Sequence, residues 1–238
     1  MGKTLAKIWK NRWMVRSIFS SIYFNLHYLP FKQAIRLPIM LHKPHFKSLK
    51  GKIIIDAPVK FGMIRLGLQS VSVYPNTGIV FENHGGTIVF KGKAFITNDT
   101  AITIGEGALL EFGDQFMLNA SSKLICYHKI SFGSYCRIAW ENIIMDTDLH
   151  TVTRADGTNS KGYGPISIGE NCWIGTRCMI LKNTQLPPFT TVQAQTLLNR
   201  KYDIAPKCVI GTSADVVIKA TDTYRDMKND KIRYPQTQ

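Results

Sequence analysis

From residue 168 onward every sixth position is aliphatic: Ile168, Ile174, Ile180, Leu186, Val192 and Leu198. The same phase holds at Phe132, Ile138 and Ile144 and continues to Ile204 and Ile210. An α-helix repeats every 3.6 residues and a half-buried strand every 2, so neither produces a period of six. A prism with flat faces does. Each hexapeptide is then one short strand plus a corner, with its aliphatic side chain pointing into the shaft. Three faces close a turn of about 18 residues, and the turns stack through parallel hydrogen bonding. Cys136, Cys172 and Cys178, then Thr184, Thr190 and Thr196, fall four residues after the aliphatic positions, where a corner crowds the interior. Gly133, Ala139, Gly169 and Gly175 follow it directly, as expected if small residues ease the bend. A β-sandwich whose strands fall in phase by accident is the competing fold, and six consecutive aliphatic hits argue against it.

Upstream, Ile88, Phe90, Ile96, Ile102, Ile104, Leu110, Phe112, Phe116, Leu118, Leu124 and Ile130 alternate with Gly and polar residues in a looser phase. These read as earlier turns of one continuous winding of at most about eight turns. The expected organisation is a basic amphipathic helical segment or cap over 1–52, a β-helix over 53–218 and a polar tail over 219–238. The phase fails between Ile144 and Ile166. There, residues 145–165 are polar, rich in Gly and Asn, and end in Pro165, which predicts an extruded loop. If extended, Asp146, Asp148 and His150 share one side of it. Cys136, Cys172, Cys178 and Cys208 fit small-residue slots, so buried structural thiols are expected rather than disulfides or metal ligands.

The segment IGENCWIGTRCMIL (168–181) and the run VIGTSADVVIK (209–219) resemble the paired repeat and closing segment of the hexapeptide-repeat acyltransferases. The resemblance is strongest over 130–218, and it implies that the winding is a left-handed parallel β-helix. It further implies a homotrimer with acetyl-CoA as co-substrate, no metal, and a carbohydrate acceptor, free or lipid-linked. The nearest group is the sugar O-acetyltransferases, including those of surface polysaccharide biosynthesis. By position, His150 matches the family's general base and Asn119 the Asn that holds the acceptor hydroxyl, while Asp148 or Asp146 would fix the imidazole tautomer or stabilise the imidazolium. Trp173 and Gly175 match the Trp-Ile-Gly segment beside the cofactor, with an oxyanion-stabilising N–H expected near Gly175. Ala194 lies where the family's backbone approaches the pantetheine arm, and Arg200 and Lys201 lie near its 3′-phosphate contact. Trp140 and Glu141, one turn earlier, are expected near the same cleft. The chain departs from the pattern at Lys182-Asn183, where the family has Pro-Gly, and at Gln193 and Gln195, where it has Gly.

Thirty cations against 16 anions give a net charge of +14, but 11 of the cations lie in the first 52 residues, and no acidic residue precedes Asp56. The remainder, with 19 cations against 16 anions, is nearly balanced, which argues against a protein that coats nucleic acid. Val15, Ile18, Phe19, Ile22, Leu26 and Leu29 follow helical spacing, with Trp9, Trp13, Tyr23, Phe24, Tyr28 and Phe31 interleaved among Lys and Arg. Such a helix suits peripheral contact with an anionic membrane, a cap on the first turn, or both. No apolar run approaches the roughly 20 residues of a spanning helix, and a cytoplasmic setting is expected. Two alternatives keep this fold: transfer to an amine, and a scaffold without catalysis. A carbonic anhydrase of the same fold needs three closely placed His, and the six present, at 27, 42, 45, 84, 128 and 150, are scattered.

Overall fold

A computed structural model describes residues 12–211, with side chains from residue 17. Residues 1–11 and 212–238 lie outside it, and with them the side chains of Trp9, Trp13 and Val15, the end of the closing segment and the expected tail. The described strands form three all-parallel sheets of eight, seven and six strands, and successive strands pass from the first sheet to the second to the third. This is a three-faced parallel β-helix of the left-handed hexapeptide class. The winding starts at the strands Ile39–Leu41 and Pro44–Leu49, inside the segment that the sequence assigns to the cap and ahead of the expected boundary at residue 53.

The aliphatic positions of the repeat are inward. Ile138, Ile144, Ile174 and Ile180 are fully buried, as are the upstream residues of the looser phase. That looseness has a geometric cause. Ile96 and Leu118, paired across adjacent turns, are 22 residues apart. Leu118 and Ile138 are 20 apart, and Ile174 and Val192 are 18 apart. The prism therefore tapers toward its C-terminal end. Its wide turns carry strands of three to five residues with two or three inward side chains each. The extra girth is filled by a phenylalanine ladder: Phe90 stacks on Phe112 at 5.1 Å, and Phe112 on Phe132 at 5.8 Å.

The corners work differently from the sequence expectation. The residue in left-handed conformation stands three places after the inward one and is not glycine: Tyr135, Glu141, Asn171, Arg177, Asn183, Phe189, Gln195 and Lys207 all have positive φ. Gly133, Gly169 and Gly175 do not. They are small because the turns touch there. A Cβ on Gly113 would lie 2.4 Å from the Gly133 carbonyl carbon, one on Gly133 2.4 Å from Glu170 N, and one on Gly169 2.4 Å from Pro188 N. The small residues four places on also carry a polar duty. Thr184, Thr190 and Thr196 donate to the carbonyls of Leu181, Pro187 and Gln193. The thiols of Cys136, Cys172 and Cys178 reach carbonyls of the next turn. All three are free and buried, as is Cys126, while Cys208 is half-buried.

Helix α1 (Arg12–Tyr28), followed by the short α2 (Phe31–Ala34), closes the wide end. Phe24 is fully buried, plugging the shaft against Phe46 at 5.6 Å and Phe81 at 5.1 Å. The rest of the inner face is polar. Asn25 donates to Ile39 O at 2.7 Å and accepts from Ile39 N at 3.2 Å, while the Ser21 hydroxyl accepts from Leu41 N at 3.0 Å. These side chains stand in for the missing neighbour of an edge strand and satisfy its backbone. The apolar stripe read from the sequence faces the other way, with Phe19 (78% exposed), Ile22 and Leu26 outward. Asn25→Leu is accordingly expected to lower stability by about 1–3 kcal/mol in denaturant titration. Leu26→Asn, on the outer face, is expected to leave it unchanged.

Candidate active site

The extruded loop leaves the second sheet after Met145 and joins the third at Ile166. It is a hairpin, with antiparallel bridges between Thr147 and Tyr163 and between Thr153 and Asn159. Asp148 N–H donates to Gly162 O at 2.7 Å, and Ser160 N–H to Val152 O at 2.7 Å. The entry strand is not evenly extended. Leu149 adopts positive φ, with its N–H held by the Thr147 hydroxyl at 3.0 Å. This kink separates the roles of the three residues that extension would have aligned.

Asp146 is fully buried and accepts from the backbone N–H groups of Tyr127 at 2.7 Å and His128 at 2.9 Å. Burial pushes its pKa up, partly offset by those hydrogen bonds. It anchors the hairpin base to the turn below. Asp148 forms an ion pair with Lys182, which lies on the following turn. Lys182-Asn183 thereby finds a structural account: Asn183 occupies the left-handed corner, and Lys182 ties the hairpin to the prism. His150, half-buried, follows the kink and precedes the buried Thr151.

The other candidates are distributed around the prism. Asn119 ends a strand of the first sheet at the corner leading to the second, and its amide nitrogen donates to Ile138 O at 2.7 Å. Trp173 points outward from the first sheet, 57% exposed, in register between Arg137 and Thr191. Gly175 and Ala194 stack on adjacent turns, where a Cβ on Gly175 would lie 2.6 Å from Ala194 N. The N–H of Gly175 donates to Val192 O at 2.9 Å, so it serves the ladder rather than an oxyanion. Gln193, Ala194 and Gln195 are exposed. Near the narrow end, Arg200 lies over the Tyr202 ring at 5.5 Å and Lys201 pairs with Asp203 at 2.7 Å, both at the surface.

Trp140 and Glu141, expected near the cleft, have two partners that the sequence does not announce, Tyr74 and Arg177. A second excursion, between the strands Ile64–Leu68 and Ile79–Asn83, brings Tyr74 over the corner that carries Trp140. The Tyr74 hydroxyl donates to Glu141 at 2.7 Å, and Arg177 pairs with the same carboxylate. Arg177, then Tyr74, hold the Glu141 carboxyl below its ordinary pKa. The Trp140 indole N–H is buried without a hydrogen-bond partner among the described residues. No phase break announces this loop, because the wide turns around it vary in length.

Within one chain, then, His150 hangs from the corner between the second and third sheets. Asn119, Trp140 and Glu141 occupy the corner between the first and second, and Trp173 lies on the first sheet. Among the described residues, no three His, Cys, Asp or Glu side chains are grouped to hold a metal ion. No described helix is long and apolar enough to cross a membrane.

No protein-family model matches the sequence. An uncharacterized 24.8 kDa protein in the cps region of Klebsiella pneumoniae is 29% identical over 130 residues, which are 53% of this chain and 57% of that protein. The chain thus spans less than two thirds of that curated relative. The crystal structure of the polySia-specific acetyltransferase NeuO aligns over 76% of this chain and 90% of its own, at 10% identity and a TM-score of 0.39. On its own three parallel sheets and six-residue repeat, the chain has the left-handed β-helix architecture of the hexapeptide-repeat acyltransferases.

Proposed function

We propose that this protein is a coenzyme-A-dependent acetyltransferase that esterifies a sugar hydroxyl during surface polysaccharide assembly, with His150 as general base. The observation that carries the reading is the hairpin. Between residues 130 and 211 the winding is interrupted once, and the interruption presents a half-buried histidine on a base pinned by Asp146 and by the Asp148–Lys182 pair. The relative in a cps region supports a polysaccharide context.

An alcohol holds its proton far above neutral pH, so its attack on a thioester needs a base that takes that proton as the bond forms. His150 takes the hydroxyl proton as the oxygen attacks the thioester carbon. The C–O bond forms, the C–S bond breaks, and His150 returns the proton to the departing thiolate. Acetyl-CoA supplies the activated acetyl group. Trp173, Ala194, Arg200 and Lys201 are the residues that would hold it, and Asn119 would orient the acceptor. Because His150 and Asn119 hang from different corners, the site is completed between neighbouring copies in a homotrimer. Outward Ile143, Met179 and Leu197, in register on the second sheet, supply an apolar face for that contact.

The cap gives the assembly an orientation. Phe19, Ile22, Leu26, Phe31 and Ile35 are exposed beside the exposed Lys32 and Arg36, in a segment without acidic residues. This face suits peripheral attachment to anionic lipid. Ile22→Glu with Leu26→Glu is expected to abolish sedimentation with phosphatidylglycerol vesicles, and unchanged sedimentation refutes the attachment.

Incubation with labelled acetyl-CoA and a panel of free and lipid-linked sugars tests the activity. The expected product is a base-labile acetyl ester. Base-stable label found only on amine acceptors would select N-acetylation instead. Absence of saturable coenzyme A binding would select a scaffold of the same fold.

A further inference from the structure

The outer face of the first sheet carries a column of registered side chains that the reading above does not use in full. Arg65 pairs in register with Phe95, Phe95 with Met117, Met117 with Arg137, and Arg137 with Trp173. At 4.7–4.9 Å per strand, the column runs about 19 Å from Arg65 to Trp173. Its first part floors an open cavity of about 430 Å³, within the range of ligand sites. Lys60, Arg65, Lys93 and Arg137 line it, all exposed, and no carboxylate does. Asp114, outside the lining, accepts from the Lys93 backbone N–H at 2.7 Å. Phe61 (62% exposed) and Phe95 provide apolar walls.

The guanidinium groups are braced. Arg65 Nε donates to Gly62 O at 3.2 Å and Arg137 Nη1 to Gln115 O at 2.6 Å. Each thereby spends one of five N–H donors on the wall and keeps a forked set for a planar anion. Four exposed cations without a lining carboxylate repel one another, and an anionic occupant relieves that repulsion. Exposed phenyl rings suit the apolar faces of sugar rings better than they suit water. The column then leads to Trp173, which would hold the cofactor that an acceptor must reach.

We propose that this groove binds a carboxylate-bearing saccharide chain and feeds it toward Trp173, so that the acceptor is an acidic polysaccharide. The substrate class rests on the acetyltransferase reading; the groove itself does not.

Titration of the full-length His150→Ala protein, which separates binding from turnover, uses hexagalacturonate, maltohexaose and a single-stranded oligothymidylate of matching charge. Saturable binding of hexagalacturonate is expected, weakening with salt, with maltohexaose at least about tenfold weaker, the worth of one charge-assisted hydrogen bond. Arg65→Gln with Arg137→Gln is expected to remove that preference while leaving the melting temperature unchanged, since both side chains are exposed. Equal affinity for the neutral and acidic hexasaccharides, or a preference undiminished in the double variant, overturns the proposal. Tighter binding of the oligothymidylate also overturns it and marks a nucleic-acid surface. Binding with no acetyl transfer by the unsubstituted protein to any acceptor leaves the groove standing and removes the proposed activity. Acetylation of neutral sugars alone does the reverse.

Discussion

His150→Ala is expected to slow acetyl transfer by about 10²–10⁴-fold, the usual worth of general-base assistance, while coenzyme A binding stays unchanged. The hairpin that carries His150 is held along the strand that enters the kink: by Asp146 on the backbone of Tyr127 and His128, and by Asp148 on Lys182. Removing the imidazole leaves each of these anchors in place, so the hairpin is expected to persist while the proton acceptor is lost. Initial rates of thiol release with a competent acceptor, alongside direct coenzyme A titration, separate the two effects. Lys182→Met serves as the comparison. It frees Asp148 and loosens the base without deleting it, and a smaller loss is expected, with the acceptor KM rising as well. Undiminished turnover in His150→Ala would remove the histidine from the mechanism while leaving the fold untouched.

Gly133→Ala is expected to destabilise the protein by about 3 kcal/mol, the upper end of the overpacking range. In a chain of this length that corresponds to a fall in melting temperature of about 6–12 °C. The added methyl would stand 2.4 Å from Glu170 N and 2.7 Å from the Gly169 carbonyl carbon, which are backbone atoms of the next turn. They cannot rotate away, so the turns must part and the ladder between Phe132 and Ile168 must stretch. Gly157→Ala supplies the contrast. At the hairpin tip a Cβ meets nothing within 4 Å, and only its φ of +78° opposes the change. About 1 kcal/mol is expected there, the strain of a side chain in left-handed backbone. If the two variants melt alike, steric contact between turns is not what selects glycine at the corner.

The repeat was legible because packing dictates it. One large apolar residue in six must be inward, with only a small residue buried beside it in the narrow turns, so Ile168 through Leu198 announce the prism unaided. The excursion was legible for the same reason, as the place where the phase is lost. Legibility failed where a position is chosen by backbone contacts rather than by burial. The corner conformation falls on Tyr135, Glu141 and Arg177, residues with no visible taste for it, while Gly133 and Gly175, two places before Tyr135 and Arg177, are there for clearance. Tyr74 was invisible because turns of unequal length conceal an insertion. The polar inner face of the helix was not legible either. Capping a strand edge calls for Ser21 and Asn25 on the inner face, so the most apolar stripe is the one left outside. Of the candidate site, the hairpin and its histidine could be read from the chain. The ion pair of Asp148 with Lys182 and the spread of His150, Asn119 and Trp173 over separate corners needed three dimensions.

The changing girth of the prism bears on how the chain finds its own alignment. Between residues 168 and 210 the turns are equal, and a strand that paired one turn out of place would still put an aliphatic residue inside. At the wide end that error is heavily penalised. Setting a 22-residue turn against an 18-residue one strands four residues, and the Phe90–Phe112–Phe132 stack has no second place to sit. The aromatic turns thus act as a key that admits one register, and the uniform turns inherit their alignment from it.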